Sequence, residues 1–199
     1  MNQQTAPGPA LRRAVLIVAL LNLSYFGVEF VAALAAHSVS LLADSADFLE
    51  DTAINLLIFV AIGWTVARRA RLGMVLAALL LVPAAAFLWS LAQKYAQPQT
   101  PDAVILTLTG LGALAVNLTC ALILARHRNG KGSLTRAAFL SARNDVFANV
   151  AIIAAGVATL WYPTIWPDVI VGLAIAAMNI DAAADVWKAA RSESADAEA

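Results

Sequence analysis

Four carboxylates lie within eight residues of a strongly apolar stretch, LLADSADFLEDTAINLL, residues 41–57. At about 100° per residue, Asp47 and Asp51 stack one helical turn apart on the same face. Glu50 lies well off that face. The whole polar seam of this predicted helix contains Ser40, Asp44, Asp47, Asp51 and Asn55. Carboxylate oxygens in such an arrangement can bind divalent ions such as Mg, Mn, Zn and Cd.

A second polar seam occurs in FLSARNDVFANVAIIAAG. Ser141, Asp145 and Asn149 follow one another at i, i+4 and i+8 on one face, while Arg143 points to the opposite side. Counted from the predicted helix ends, the aspartates of both seams lie about 9–13 residues deep, near the middle of a bilayer. We therefore expect the two seams to contribute to one site.

Acidic side chains at this depth require an explanation. An aspartate at the centre of a membrane helix costs about 2.5–3.5 kcal/mol on the insertion scale. Such residues normally face the bundle interior or a water-filled cavity and mark an ion or proton path. Three aspartates without bases would repel one another and take up protons when no cation is bound. A site that exchanges a metal ion for protons explains them better than a structural hydrogen-bonded network.

The elements that position these residues are predicted to span a membrane. The chain of 199 residues is 61% hydrophobic and 13% charged, with a mean hydropathy of +0.77, whereas soluble domains carry about 25% charged residues. Residues 1–12 are predicted to form a polar tail, residues 13–189 one transmembrane domain, and residues 190–199 an acidic disordered tail. With about 20 apolar residues for each span, the sequence predicts an all-α bundle of six transmembrane helices, at roughly 13–35, 39–66, 72–95, 102–126, 134–160 and 167–189.

The distribution of charge predicts orientation and excludes some partners. Basic residues fall at both ends of the chain and in the second and fourth loops, and only Lys94 lies on the other face. By the positive-inside rule both termini are cytoplasmic, and we expect a plasma membrane, the inner membrane in bacteria. The net charge of zero gives no electrostatic basis for a nucleic-acid partner. The single cysteine, Cys120, excludes an internal disulfide.

The quoted motifs resemble those of the cation diffusion facilitators, a family of six-helix metal/proton antiporters. SVSLLADSADFLEDTAINL is similar to the family's second helix, where a run such as SLALLAD precedes H/D-x-x-x-D. The resemblance maps the metal-binding residues there to Asp47 and Asp51. SARNDVFANVAIIAAG is similar to the fifth helix and maps its pair to Ser141 and Asp145. Weaker similarities in NLSYFGVEFVAAL, VNLTCALIL and WPDVIVGLAIAAMNI extend the resemblance over essentially the whole chain.

The resemblance implies a transporter that is not an enzyme and needs no cofactor. It would export Zn²⁺, or Cd²⁺, Mn²⁺, Fe²⁺ or Co²⁺, from the cytoplasm in exchange for protons, by alternating access. We expect the chain to lack the family's C-terminal cytoplasmic domain, so that a homodimer would form through the transmembrane helices.

The fourth metal ligand is left open by the sequence. Ser141 stands where the family has a histidine, and a hydroxyl is a weaker zinc ligand than imidazole. A harder or larger ion than zinc therefore becomes a better candidate for the transported metal. Besides Ser141, the candidates are Asn144, Asn149 and water, with Asp44 as a further accessory residue.

Several other polar residues are interpreted as structural. Glu50 and Arg143 are predicted to form a buried ion pair between the second and fifth helices. Glu29 is expected to pair or hydrogen-bond inside the bundle, with a role as a proton relay as the alternative. Asn22 and Asn117 are interpreted as hydrogen-bonding partners between helices rather than as ligands.

Three competing functions fit a membrane bundle with acidic seams. An intramembrane aspartyl protease is disfavoured because the expected G-x-G-D context is absent from the sequence. A metal-permeable channel, or a proton-coupled permease for a non-metal solute, stays open. A channel would conduct metal without a requirement for protons. In a purely structural or partner-binding subunit, the aspartates would tolerate replacement by asparagine.

Overall fold

The computed structural model describes residues 9–60, 85–126 and 133–178, and in the last range the side chains of 133–141 and 143 are not described. Within these ranges the chain is helical apart from short turns and contains no strand. The predicted all-α fold with six helices is confirmed. The helices are α1 (Pro9–Ala36), α2 (Val39–Val60), α3 (85–96), α4 (Ala103–Ala125), α5 (Ser133–Trp161) and α6 (Trp166–Met178).

Predicted boundaries agree with the described helices within a few residues, and α1 begins at Pro9, inside the predicted N-terminal tail. The predicted segments 61–66, 72–84 and 179–189, and the tail 190–199, lie outside the described residues.

Three described helical segments are long and apolar enough to cross a membrane: α1, α4 and the part of α5 from Asn144 to Trp161. The α6 segment is apolar but shorter. The acidic residues of α2 set it apart from these segments. Large apolar side chains are exposed along the outside of the bundle, as expected for contact with lipid, among them Leu20, Val28, Val31, Leu108, Leu122 and Phe147.

The helices are joined mainly in two sequential pairs. The most extensive contacts are between α1 and α2 and between α4 and α5, and the pairs meet through contacts of α1 with α4 and of α2 with α5. One apolar cluster, which includes Leu41, Phe87 and Val169, lies at one end of the bundle. A second cluster, which includes Val18 and Leu124, lies toward the other end. Several buried polar residues lie between these clusters along their helices, namely Asn22 and Glu29 of α1, Asp44 and Asp51 of α2, Asn117 of α4 and Asp145 of α5.

A tight turn connects α1 to α2. His37 adopts a left-handed backbone conformation with φ of 53°, which allows Ser38 N to donate to Ala33 O at 3.0 Å. Asp102 begins α4 beside this turn, because its N–H donates to Ala36 O at 3.0 Å. Its carboxylate accepts from the N–H groups of the first α4 turn. We call this end of the bundle the hairpin end.

Helix α6 approaches α2 closely at the hairpin end. A Cβ atom added to Gly172 would lie 2.9 Å from Ser40 N and 3.0 Å from the carbonyl carbon of Val39. Only glycine allows the two backbones to lie this close together.

Candidate functional site

The polar seam of α2 faces the interior of the bundle. Ser40, Asp44, Asp51 and Asn55 are buried, and Asp47 is partly buried. Glu50, which the periodicity places off the seam, is also partly buried. The face predicted from helical geometry is therefore the face that α2 presents to its neighbouring helices.

The three aspartates predicted to bind metal are electrostatic neighbours. The charge of Asp47 interacts with those of Asp51 and Asp145, and Asp145 also interacts with Asp51. In the described part of the chain, however, no group of three or more His, Cys, Asp or Glu side chains is arranged to hold a metal ion. The three carboxylates therefore lie near one another without a complete coordination shell, and their assignment as ligands stays a prediction.

Asp51 is held by a contact from α1. Asn22 Nδ2 donates to Asp51 Oδ2 at 3.3 Å, and Cys120 Sγ of α4 donates to Asn22 Oδ1 at 3.5 Å. Asn22 and Cys120 are fully buried. The interpretation of Asn22 as a hydrogen-bonding partner between helices is confirmed.

Asp44 is held by a contact from α5. Asn149 Nδ2 donates to Asp44 Oδ2 at 2.8 Å, and Asn117 Nδ2 of α4 donates to Asn149 Oδ1 at 3.2 Å. The interpretation of Asn117 as a partner between helices is confirmed. The amide of Asn149, an accessory ligand in the sequence prediction, takes part in these two bonds.

Glu29 lies inside the bundle, as expected, but it lies beside another acid. Its carboxyl group is within hydrogen-bonding reach of the carboxyl group of Asp44. Both Glu29 carboxylate oxygens and Oδ1 of Asp44 lack a hydrogen-bond donor among the described residues. Sequence analysis identified Glu29 as an isolated acid but gave no signal for this partner.

A second polar cluster lies at the hairpin end and was missed by the sequence analysis. Asp168 of α6 forms an ion pair with Lys94 of α3, and both side chains are buried. The carboxylate of Asp168 also accepts from the hydroxyls of Ser38 and Ser40, each at 2.6 Å, and from Val39 N and Ser40 N, each at 3.0 Å. The cluster could have been predicted from Lys94. It is the one basic residue on this face of the predicted bundle, and an acid stands at the start of the sixth span.

Of three further predicted site residues, the structure describes the side chain of Asn144 alone. The side chains of Ser141 and Arg143 lie outside the described residues, so the serine ligand and the Glu50–Arg143 ion pair stay predictions. Asn144 is described, and its side chain is exposed rather than turned into the buried cluster.

Residues 15–193 match the family model of the cation efflux transmembrane domain. The chain belongs to this family. No curated protein matches the sequence. The family match confirms the resemblance carried by the α2 and α5 motifs, and this cation efflux protein is accordingly an integral membrane transporter of metal cations rather than an enzyme.

Proposed function

We propose that this cation efflux protein exchanges one divalent metal ion for protons, with Asp47, Asp51 and Asp145 as its carboxylate ligands. The main support is the mutual proximity of these three charges, from two helices, in the interior of a cation efflux bundle. Ser141 or water completes the ligand set. Oxygen ligands suit Zn²⁺ and Cd²⁺, and equally Mn²⁺, Fe²⁺ and Co²⁺.

The charge of the site accounts for the exchange. Three neighbouring carboxylates repel strongly in an interior of low dielectric constant. A divalent cation neutralises two of the three charges, and protons neutralise them when the cation leaves. Binding of metal and binding of protons therefore exclude each other, which is the requirement for an antiporter.

Helix packing supports movement of two rigid pairs about this site. Asp47 and Asp51 belong to the α1–α2 pair, whereas Asp145 belongs to the α4–α5 pair. Each pair is packed more extensively within itself than α2 is packed against α5. A bound cation would draw the two pairs together and complete the coordination shell. Rocking of one pair against the other would then expose the site to alternate sides.

The orientation is inferred from the charge distribution, and export is carried over from the family resemblance. The basic residues place the termini in the cytoplasm and the hairpin end outside, in a plasma membrane such as the bacterial inner membrane. The buried Lys94–Asp168 pair joins α3 to α6 at the hairpin end, which is the outer end in this orientation. The protein exports its metal, and two copies associate through their transmembrane helices.

Reconstituted vesicles test the proposal. Proteoliposomes containing a fluorescent reporter for Zn²⁺ or Cd²⁺ should show metal uptake that depends on a pH gradient. Asp51→Ala and Asp145→Ala should each abolish it. The matched control is Asp102→Asn, because Asp102 is an exposed carboxylate that caps α4, and asparagine also caps helices well.

Two results would contradict the proposal. Metal uptake that persists in both aspartate variants would show that these aspartates do not form the transport site. Uptake that is unchanged after collapse of the pH gradient would instead identify a channel.

A further inference from the structure

Glu29 of α1 is buried without a compensating group. The exposed fraction of its side chain is 0%, and neither carboxylate oxygen has a hydrogen-bond partner in the described ranges. Buried polar groups are almost always hydrogen-bonded, and an ionised carboxylate without a partner is among the most costly groups to bury. Glu29 therefore either holds a proton or binds a cation that the described side chains around it do not provide.

The neighbour of Glu29 is Asp44, which is also fully buried. Asn149 satisfies Oδ2 of Asp44, whereas Oδ1 has no donor among the described residues. The two carboxyl groups are within hydrogen-bonding reach of each other. Two ionised carboxylates are both acceptors, so they can be joined either by a shared proton or by a metal cation placed between them.

Within the described residues, the surrounding elements supply no such cation. Tyr25 of α1 interacts with both acids, but its hydroxyl donates to Thr109 O at 2.6 Å. From α2, Asp47 adds a further negative charge. Asn149 of α5 is neutral. Lys94 is already paired with Asp168 in the ion pair found within the described residues.

The pair also lies between two features already described. Asp44 is about one helical turn from Asp47 toward the hairpin end. Ser40, about one further turn along the same seam, donates to Asp168. The acids of α1 and α2 thus occupy the stretch between the proposed metal ligands and the hairpin end.

We infer that Glu29 and Asp44 form a second binding position for the transported divalent cation, on its path from the central aspartates to the hairpin end. The three carboxylate oxygens without donors are its protein ligands. Hard or borderline divalent ions that accept oxygen ligands fit this position. The inference rests on the proposed function, because it assumes that the central aspartates bind the same ion.

Equilibrium dialysis of the full chain in nanodiscs against radioactive Cd²⁺ tests the inference. The wild type should bind two ions for each chain. Glu29→Gln and Asp51→Asn should each bind one, and the double variant should bind none. The control, Asp102→Asn, should still bind two.

Thermal unfolding without metal shows whether the Glu29→Gln variant is folded. A glutamine amide can donate to Asp44 Oδ1, which a carboxylate cannot do. The variant should therefore be at least as stable as the wild type, and added Cd²⁺ should raise its unfolding temperature less than that of the wild type.

The outcomes separate the inference from the proposed function. Equal numbers of bound ions in the wild type and Glu29→Gln would overturn the second position. One ion in the wild type that is lost in Glu29→Gln would also overturn it, because Glu29 would then belong to a single site. If the wild type binds one ion and only Asp51→Asn loses it, the second position is overturned and the proposed function stands. If the wild type binds no ion, both are overturned.

Discussion

Lys94 of α3 and Asp168 of α6 form a buried ion pair, and the same aspartate accepts four hydrogen bonds from the start of α2. Two of those bonds come from backbone N–H groups that begin a helix and have no partner inside it. One carboxylate therefore joins three helices at the hairpin end. The cluster therefore stabilises the packing of these helices at the hairpin end.

Loss of Asp168 should destabilise the protein more than loss of Lys94. Removing one partner of a buried ion pair typically costs about 3–5 kcal/mol. Lys94→Met leaves Asp168 with its four donors, whereas Asp168→Ala also leaves the N–H groups of Val39 and Ser40 without an acceptor. Thermal unfolding in detergent measures the difference. Equal losses, or a larger loss for Lys94→Met, would mean that the α2 contacts contribute little.

The close approach of α6 to α2 should make Gly172 intolerant of a side chain. Gly172→Ala places a methyl group about 3 Å from the backbone of Val39 and Ser40, and such overpacking typically costs about 1–3 kcal/mol. Gly27 is the matched control, because a Cβ atom there meets no atom within 4 Å. Gly27→Ala should be neutral or stabilising by up to about 1 kcal/mol, since alanine favours a helix. Equal melting temperatures for the two variants would contradict the packing described.

Asn22 should tune metal binding without touching the metal. It donates to Asp51 Oδ2, and loss of a group that orients a ligand typically lowers metal affinity about 10–100-fold. Asn22→Leu should therefore weaken Cd²⁺ binding by that factor in a calorimetric titration. Cys120→Ala should change affinity little, because the thiol reaches only Asn22 and is a weak donor. An unchanged affinity in Asn22→Leu would show that this contact has no role in the site.

Helical periodicity was sufficient to identify the seam of α2 and to pair it with α5. Counting residues from the helix ends placed Asp145 at the depth of Asp47, and their charges do interact. The coordination shell could not be predicted in this way, because a ligand distance depends on helix tilt and rotation. Periodicity fixes neither of these.

Long-range contacts were the main features that sequence analysis missed. Asp168 is separated from Ser38 by 130 positions and from Lys94 by 74. Asp168 and Ser38 look unremarkable in their own helix or turn, and Lys94 stands out only as the one basic residue predicted on that face. Glu29 was recognised as an isolated acid, but its proximity to Asp44 depends on how α1 is rotated against α2.

The central claim is that Asp47, Asp51 and Asp145 bind a divalent cation in place of protons. Calorimetric titration of Zn²⁺ or Cd²⁺ into the purified protein, repeated in buffers with different ionisation enthalpies, counts the protons released for each bound ion. We predict release of protons by the wild type and by Asp102→Asn, and loss of this binding in the double variant Asp51→Asn/Asp145→Asn. Undiminished affinity and proton release in the double variant would contradict the claim.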